Sequence, residues 1–188
     1  MEIELPKFLF HGSRVKNITQ LRVSSNCHDS AHRDAVYLTE SLNVASCYGT
    51  EIYTVELLGD PAFTLDVNGR LNPHMRFRVM EAMLSIDPDL DIDSLNAAKS
   101  ADDIFEQVQT HFRQELQLND TSLINHALLE HGIWMVFGYM HPMAVSGLQD
   151  RGIQYALLDV SKSNIISCNS YDSIWRRATD AERQKWRV

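Results

Sequence analysis

The hydrophobic period of this chain changes twice. Runs of β-forming residues dominate up to about residue 66, a helical period takes over between residues 72 and 132, and β-like runs return from residue 143. A sheet must therefore be assembled from both ends of the chain, with the helical middle as an insertion. That pattern predicts an α+β domain.

Length sets the domain count. At 188 residues the chain suffices for one well-buried domain, 1–188, and is short for two. Its apolar fraction of 44% suits a globular fold rather than a disordered one. No apolar run approaches the 18 or so residues a membrane helix needs, and the first residues are acidic, so the sequence is expected to be soluble and cytoplasmic. Cys27, Cys47 and Cys168 are odd in number, widely spaced and without a C-x-x-C pair, which predicts no disulfides.

The net charge of −8 argues against general nucleic-acid binding, which rests on cations that neutralise phosphates. Its distribution is uneven. Residues 81–120 hold ten acids and two bases, so the middle carries the whole net charge, while the tail from Tyr171 holds five bases against three acids.

Two stretches carry candidate chemistry. In Phe8-Leu9-Phe10-His11-Gly12-Ser13 an apolar run meets a histidine, a glycine and a hydroxyl. The glycine admits close approach to its backbone, and His11 and Ser13 supply side-chain hydrogen bonds beside it. The same three residues also suit a plain turn. Downstream, residues 35–39 read as a strand bearing Tyr37, and residues 40–49 as a short helix bearing Tyr48 in its last turn. Thr39 is expected to cap that helix, Glu40 to sit in its first turn and Gly49 to close it, with Leu42, Ala45 and Tyr48 on one face.

A His-Gly-Ser strand, then a strand with one tyrosine, then a short helix with a second, resembles the ADP-ribosyltransferase superfamily, in particular its poly(ADP-ribose) polymerase and diphtheria-toxin branch. The resemblance implies a split, mostly antiparallel sheet with the helical insertion between its halves. It also implies NAD as substrate. His11 would bond the adenosine ribose, Gly12 with Ser13 would hold the nicotinamide carboxamide, and Tyr37 and Tyr48 would pack on either side of the ring. Ala45 stands where the polymerase branch has a serine that also touches the carboxamide.

Taken in order, residues 7–10 form the first strand and residues 14–33 a polar connection. Cys27, His28 and His32 invite a metal reading, but no second ligand pair with zinc spacing follows, so no metal is expected. Residues 52–57 alternate like a half-exposed strand, and residues 59–61 turn into a partner strand at 62–66. Asn72 and Pro73 open a first helix, the capping-box pair Ser100 and Asp103 a second with Ile104, Val108, Phe112 and Leu116 along one stripe, and Leu123 lies in a third. Between the first two, Asp87, Asp89, Asp91 and Asp93 alternate as in a calcium loop. Ile92 and Ala98 occupy the positions where an EF-hand needs Gly and Glu, which leaves a solvated acidic connector and a possible partner surface. Further strands are expected at 143–148, 153–159 and 164–167, then a basic C-terminal helix over 179–187 anchored by Trp175 and Trp186.

The run from Gln149 to Asp159 completes the resemblance. The family opens this strand with a catalytic Glu, whereas this chain has Gln154. Phage-type transferases that act as anti-CRISPR proteins are similar over more of the chain: an early His strand, an acidic helical middle, and a Gln-Asp turn nine residues ahead of a strand-borne Asp, as Asp150 and Asp159 reproduce. On that resemblance Asp150, Gln154 and His11 form the catalytic set. Loss of nicotinamide builds positive charge on the ribose, which a nearby carboxylate stabilises and a neutral amide does not. The expected activity is mono-ADP-ribosylation of a protein, with a CRISPR effector as the sharpest version. An NAD glycohydrolase toxin and a non-catalytic module acting through its acidic helices are the competing readings.

Overall fold

The computed structural model describes residues 5–23, 35–116, 122–140 and 153–185. The chain forms strands β1 (Phe8–Ser13) and β2 (Val36–Thr39), helix α1 (Leu42–Tyr48), then β3 (Glu51–Leu57) and β4 (Thr64–Asp66). Four helices follow, α2 (Pro73–Ile86), α3 (Ile92–Ala97), α4 (Ala101–His111) and α5 (Ser122–Glu130). The end of the chain adds β5 (Met135–Met140), β6 (Ile153–Leu157), β7 (Ser163–Ser170), α6 (Tyr171–Arg177) and α7 (Asp180–Lys185). All seven strands among the described residues join one open sheet in the order β4-β5-β6-β2-β1-β3-β7, antiparallel except between β4 and β5. The protein is α+β, and its sheet draws strands from both ends of the chain.

Residues paired across adjacent strands share a face, so the registers sort the side chains. Leu65, Val136 and Ala156 lie on one face beneath α2, α4 and α5, in a core that includes Val79, Met83, Ile104, Phe105, Val108 and Leu128. On the same face, over β1 and β3, a separate small core gathers Phe10, Leu42, Ala45, Ile52, Tyr171 and Ile174 under α1 and α6. The opposite face packs Leu9, Leu38, Tyr53, Val55, Phe137 and Tyr155 against Leu21, Trp134 and the partly buried Leu5 and Ile18. The two helical groups thus stand side by side, and their boundary falls near β2 and β1.

Local chemistry explains most helix ends. Asn72 accepts from the Met75 amide ahead of Pro73, and Ser100 and Asp103 form a reciprocal capping box. Three expectations are corrected. First, β1 does not stop at Phe10, because β3 pairs with it through Ser13↔Glu51 and holds His11, Gly12 and Ser13 inside the strand. Second, β3 and β4 do not pair. Both edges of β3 are taken by β1 and β7, the cores on its two faces bury Ile52, Tyr53 and Val55 completely, and β4 joins β5 instead. Third, the acidic connector is partly helical: Asp91 caps α3, and Leu90 and Leu95 are buried.

Strand β5 and helix α6 add elements that the sequence pattern alone does not announce. The strand expected at 143–148, Trp186, and the Cys27, His28 and His32 group lie outside the described residues. No described helix is long and apolar enough to cross a membrane. Among the described residues no group of His, Cys, Asp or Glu converges to hold a metal.

Candidate active site

The strands bearing the candidate residues are neighbours. β6, β2 and β1 stand consecutively in the sheet, with Gln154 opposite Thr39 and Thr39 opposite Phe10. Phe10↔Thr39 is the one registered pair joining β1 to β2, whereas β1 and β3 hold six pairs from Phe8 to Ser13. Beyond that pair no register joins β1 to β2, which leaves an opening in the ladder. The opening is flanked by His11, Gly12 and Ser13 on one side and by Val36 and Tyr37 on the other.

His11 reaches across it. Its Nδ1 lies 3.0 Å from the Tyr37 carbonyl oxygen, which can only accept, so Nδ1 carries the proton. Burial lowers the His11 pKa below its ordinary 6.5, and the Tyr37 carbonyl opposes that effect only in part. At neutral pH the ring is therefore neutral, and Nε2 is an acceptor suited to a hydroxyl proton. The His11 ring also sits 6.4 Å from that of Tyr53, whose hydroxyl donates to the Val15 carbonyl and accepts from the Ile18 amide. Tyr53 thus ties down the chain leaving β1.

Gly12 has an immediate structural use. A Cβ built there would fall 1.7 Å from the Ala45 carbonyl oxygen, and one built at Gly49 would fall 2.0 Å from the Ser13 carbonyl. The two glycines let α1 lie backbone against backbone on β1. That seating places Ala45, rather than a hydroxyl, over Gly12, and the neighbouring Ser46 spends its hydroxyl on the Asn43 carbonyl within α1. Ser13 accepts from the Val15 amide, which makes it a turn residue at the end of β1. Tyr48 ends α1 with 42% of its surface exposed, while Leu42 and Ala45 on the same helix are buried.

Register places Gln154, Tyr37 and Gly12 on the helical face of the sheet and His11 and Ser13 on the other, so strand alternation divides the candidate set between the two faces. Gln154 is partly buried. Asp150 lies outside the described residues. Asp159 caps the short turn before β7, accepting from the Ser161 amide.

The start of α1 differs from the sequence expectation and yields a contact that sequence reasoning missed. Ser41 is the cap, accepting from the Val44 amide, and Thr39 accepts in turn from the Ser41 amide. Glu40 therefore falls before the helix, and its carboxylate accepts a short hydrogen bond from the Tyr155 hydroxyl. Burial, then the Glu40 carboxylate, raises the Tyr155 pKa far above its ordinary value, so the phenol remains a donor. Tyr155 stacks on Phe137 at 5.5 Å on the face opposite Gln154. Only the alternation of Tyr155 with Gln154 could have signalled it.

Two open clefts lie elsewhere. One of about 710 Å³ runs between α3 and α4 and is lined by Asp91, Asp103, Glu106, Lys99 and His111. The other, of about 1260 Å³, follows β4 and the start of α2 past Asp66, Arg70 and Arg76. Neither includes His11, Tyr37 or Gln154. No protein-family model matches the chain, and no curated protein or solved structure does.

Proposed function

We propose that the chain is an NAD-dependent mono-ADP-ribosyltransferase that modifies a protein, with a CRISPR effector as the target class and an anti-CRISPR role. The single observation that carries the reading is the opening between β1 and β2. His11, Gly12 and Tyr37, which resemble part of one family's NAD site, lie on the two strands that flank it, and Gln154 lies on the adjoining β6. His11, neutral and with Nε2 as acceptor, suits a ribose hydroxyl.

On this reading NAD lies along the opening with its nicotinamide near Gly12, Tyr37 and Tyr48. The bond from the ribose anomeric carbon to the nicotinamide nitrogen breaks, its electron pair leaves with the ring, and the acceptor's nucleophile bonds to that carbon and releases its proton. Gln154 orients a ribose hydroxyl. Asp150 supplies the carboxylate that offsets the charge developing on the sugar. The acidic cleft between α3 and α4 suits a basic target surface.

Intact-mass spectrometry of candidate effector subunits incubated with NAD and the protein tests the proposal. A target heavier by one ADP-ribose supports it. Free nicotinamide without an adduct would make the protein a glycohydrolase, and neither product would leave a binding module.

A further inference from the structure

The last strand of the sheet is unlike the others. β7 is the longest, with eight residues, yet not one of them is buried, whereas each of the other six strands buries at least two. It ends the sheet, and among the described residues its strand partner is β3 alone. Exposed edges are normally blunted by charge or proline. The sequence Ser163-Asn164-Ile165-Ile166-Ser167-Cys168-Asn169-Ser170 has neither. Ile166 is 49% exposed, and α6, which follows, packs on the helical face through Tyr171 and Ile174 rather than along the edge.

The strand also reads nearly the same in both directions. Antiparallel pairing about a two-fold axis between Ile166 and Ser167 sets Ser163 opposite Ser170, Asn164 opposite Asn169, Ile165 opposite Cys168 and Ile166 opposite Ser167. Polar residues meet polar ones at both ends, and small or apolar ones meet at the centre. Among the described residues two features oppose pairing: the extra residue where the β3–β7 register shifts near Ile166, and the Arg177 guanidinium that donates to Asn169 Oδ1 at 2.7 Å. In this register the irregularities of both strands coincide at the axis, where each accommodates the other.

We infer that β7 is a self-association edge: two copies of the chain join β7 to β7 antiparallel and continue the sheet across a two-fold axis. Such a contact makes about eight backbone hydrogen bonds and carries no opposing charge on the paired strands. It belongs to the small, reversible class of interfaces. The inference is independent of the activity proposed above.

Sedimentation equilibrium of the full chain between about 1 µM and about 1 mM tests it, since contacts of this size dissociate within that range. The expected result is a monomer–dimer equilibrium that Ile166→Lys weakens tenfold or more, by placing two cations beside the axis, with no change in melting temperature at concentrations where both proteins are monomeric. Ile165→Cys should form an oxidised dimer with the native Cys168 of the second copy, and Ile165→Cys with Cys168→Ser should not. Three residues apart in one strand, 165 and 168 are too distant to bridge within a copy. A chain that stays monomeric throughout, whatever foreign strand it captures, overturns the inference. So does a dimer indifferent to Ile166→Lys, or one that leaves the 165–168 pair unbridged.

Discussion

Replacing Gly12 by alanine tests the structural use of that glycine. The new Cβ would lie 1.7 Å from the Ala45 carbonyl oxygen and 2.6 Å from its carbon, where real Cβ atoms essentially never come within 3.0 Å. Both obstacles are backbone, so no side chain can swing aside. The helix α1 must retreat from β1 by roughly 1.3 Å, which lifts the buried Leu42 and Ala45 off Phe10 and Ile52. A gap of that size forfeits a large part of the dispersion between the layers, and the cost falls at the upper end of overpacking, about 3 kcal/mol. For a chain of this length that corresponds to a fall in Tm of about 6 to 12 °C. Thermal unfolding followed by circular dichroism reads it directly. Gly49→Ala strains the same seating against Ser13, so the double variant should cost less than the sum, because one retreat relieves both clashes. A Gly12→Ala protein that melts within about 2 °C of the wild type would refute the seating of α1 on β1.

Tyr155→Phe keeps the stack on Phe137 and removes the donor to Glu40. With Glu40 exposed, the loss should be about 1 kcal/mol and should vanish in a Glu40→Ala background, which a double-mutant cycle in urea would show. Changing the exposed acids Asp89, Asp93, Asp102 and Glu106 to their amides should slow association with a basic target several-fold and leave NAD affinity unchanged in surface plasmon resonance. Asp87 and Asp91 are left out because Asp87 binds His111 at 3.0 Å and Asp91 caps α3. Asp150→Asn should lower turnover on the order of a hundredfold with little change in NAD affinity, and Gln154→Ala should cost less, as single-turnover kinetics would reveal.

What the sequence disclosed followed from how local each signal is. The capping box at Ser100 and Asp103 and the Asn72-Pro73 start were legible because cap and helix lie within a few residues. The strands at Ile52 and Ile153 were legible from their β-rich runs. Their partners were not, since pairing depends on which edges remain open: β3 sits between β1 and β7, and so β4 crosses to the far edge. Asp87 reads in sequence as one solvated acid among four, yet it is only 9% exposed and bonded to His111, which lies 24 residues away. Gly12 drew attention for its chemistry, but the contact that requires a glycine comes from Ala45 on another element. The Glu40–Tyr155 pair spans 115 residues, and beyond the alternation of Tyr155 with Gln154 it had no local sign.

The central claim is that the opening between β1 and β2 binds NAD with a neutral His11 as acceptor. Calorimetric titration of NAD into the wild type and His11→Ala across pH tests it most directly. Because the folded His11 ring holds its proton less tightly than a free imidazole, affinity should be level above pH 6.5 and fall only as pH drops through the lowered pKa. Conformational stability from the same group should likewise be complete above pH 6.5 and decline below it. The account predicts that His11→Ala binds NAD about tenfold or more weakly, the cost of one hydrogen bond of about 1 to 3 kcal/mol, and loses the acid limb. Equal affinities for the two proteins, or a wild type that does not bind NAD, would contradict it.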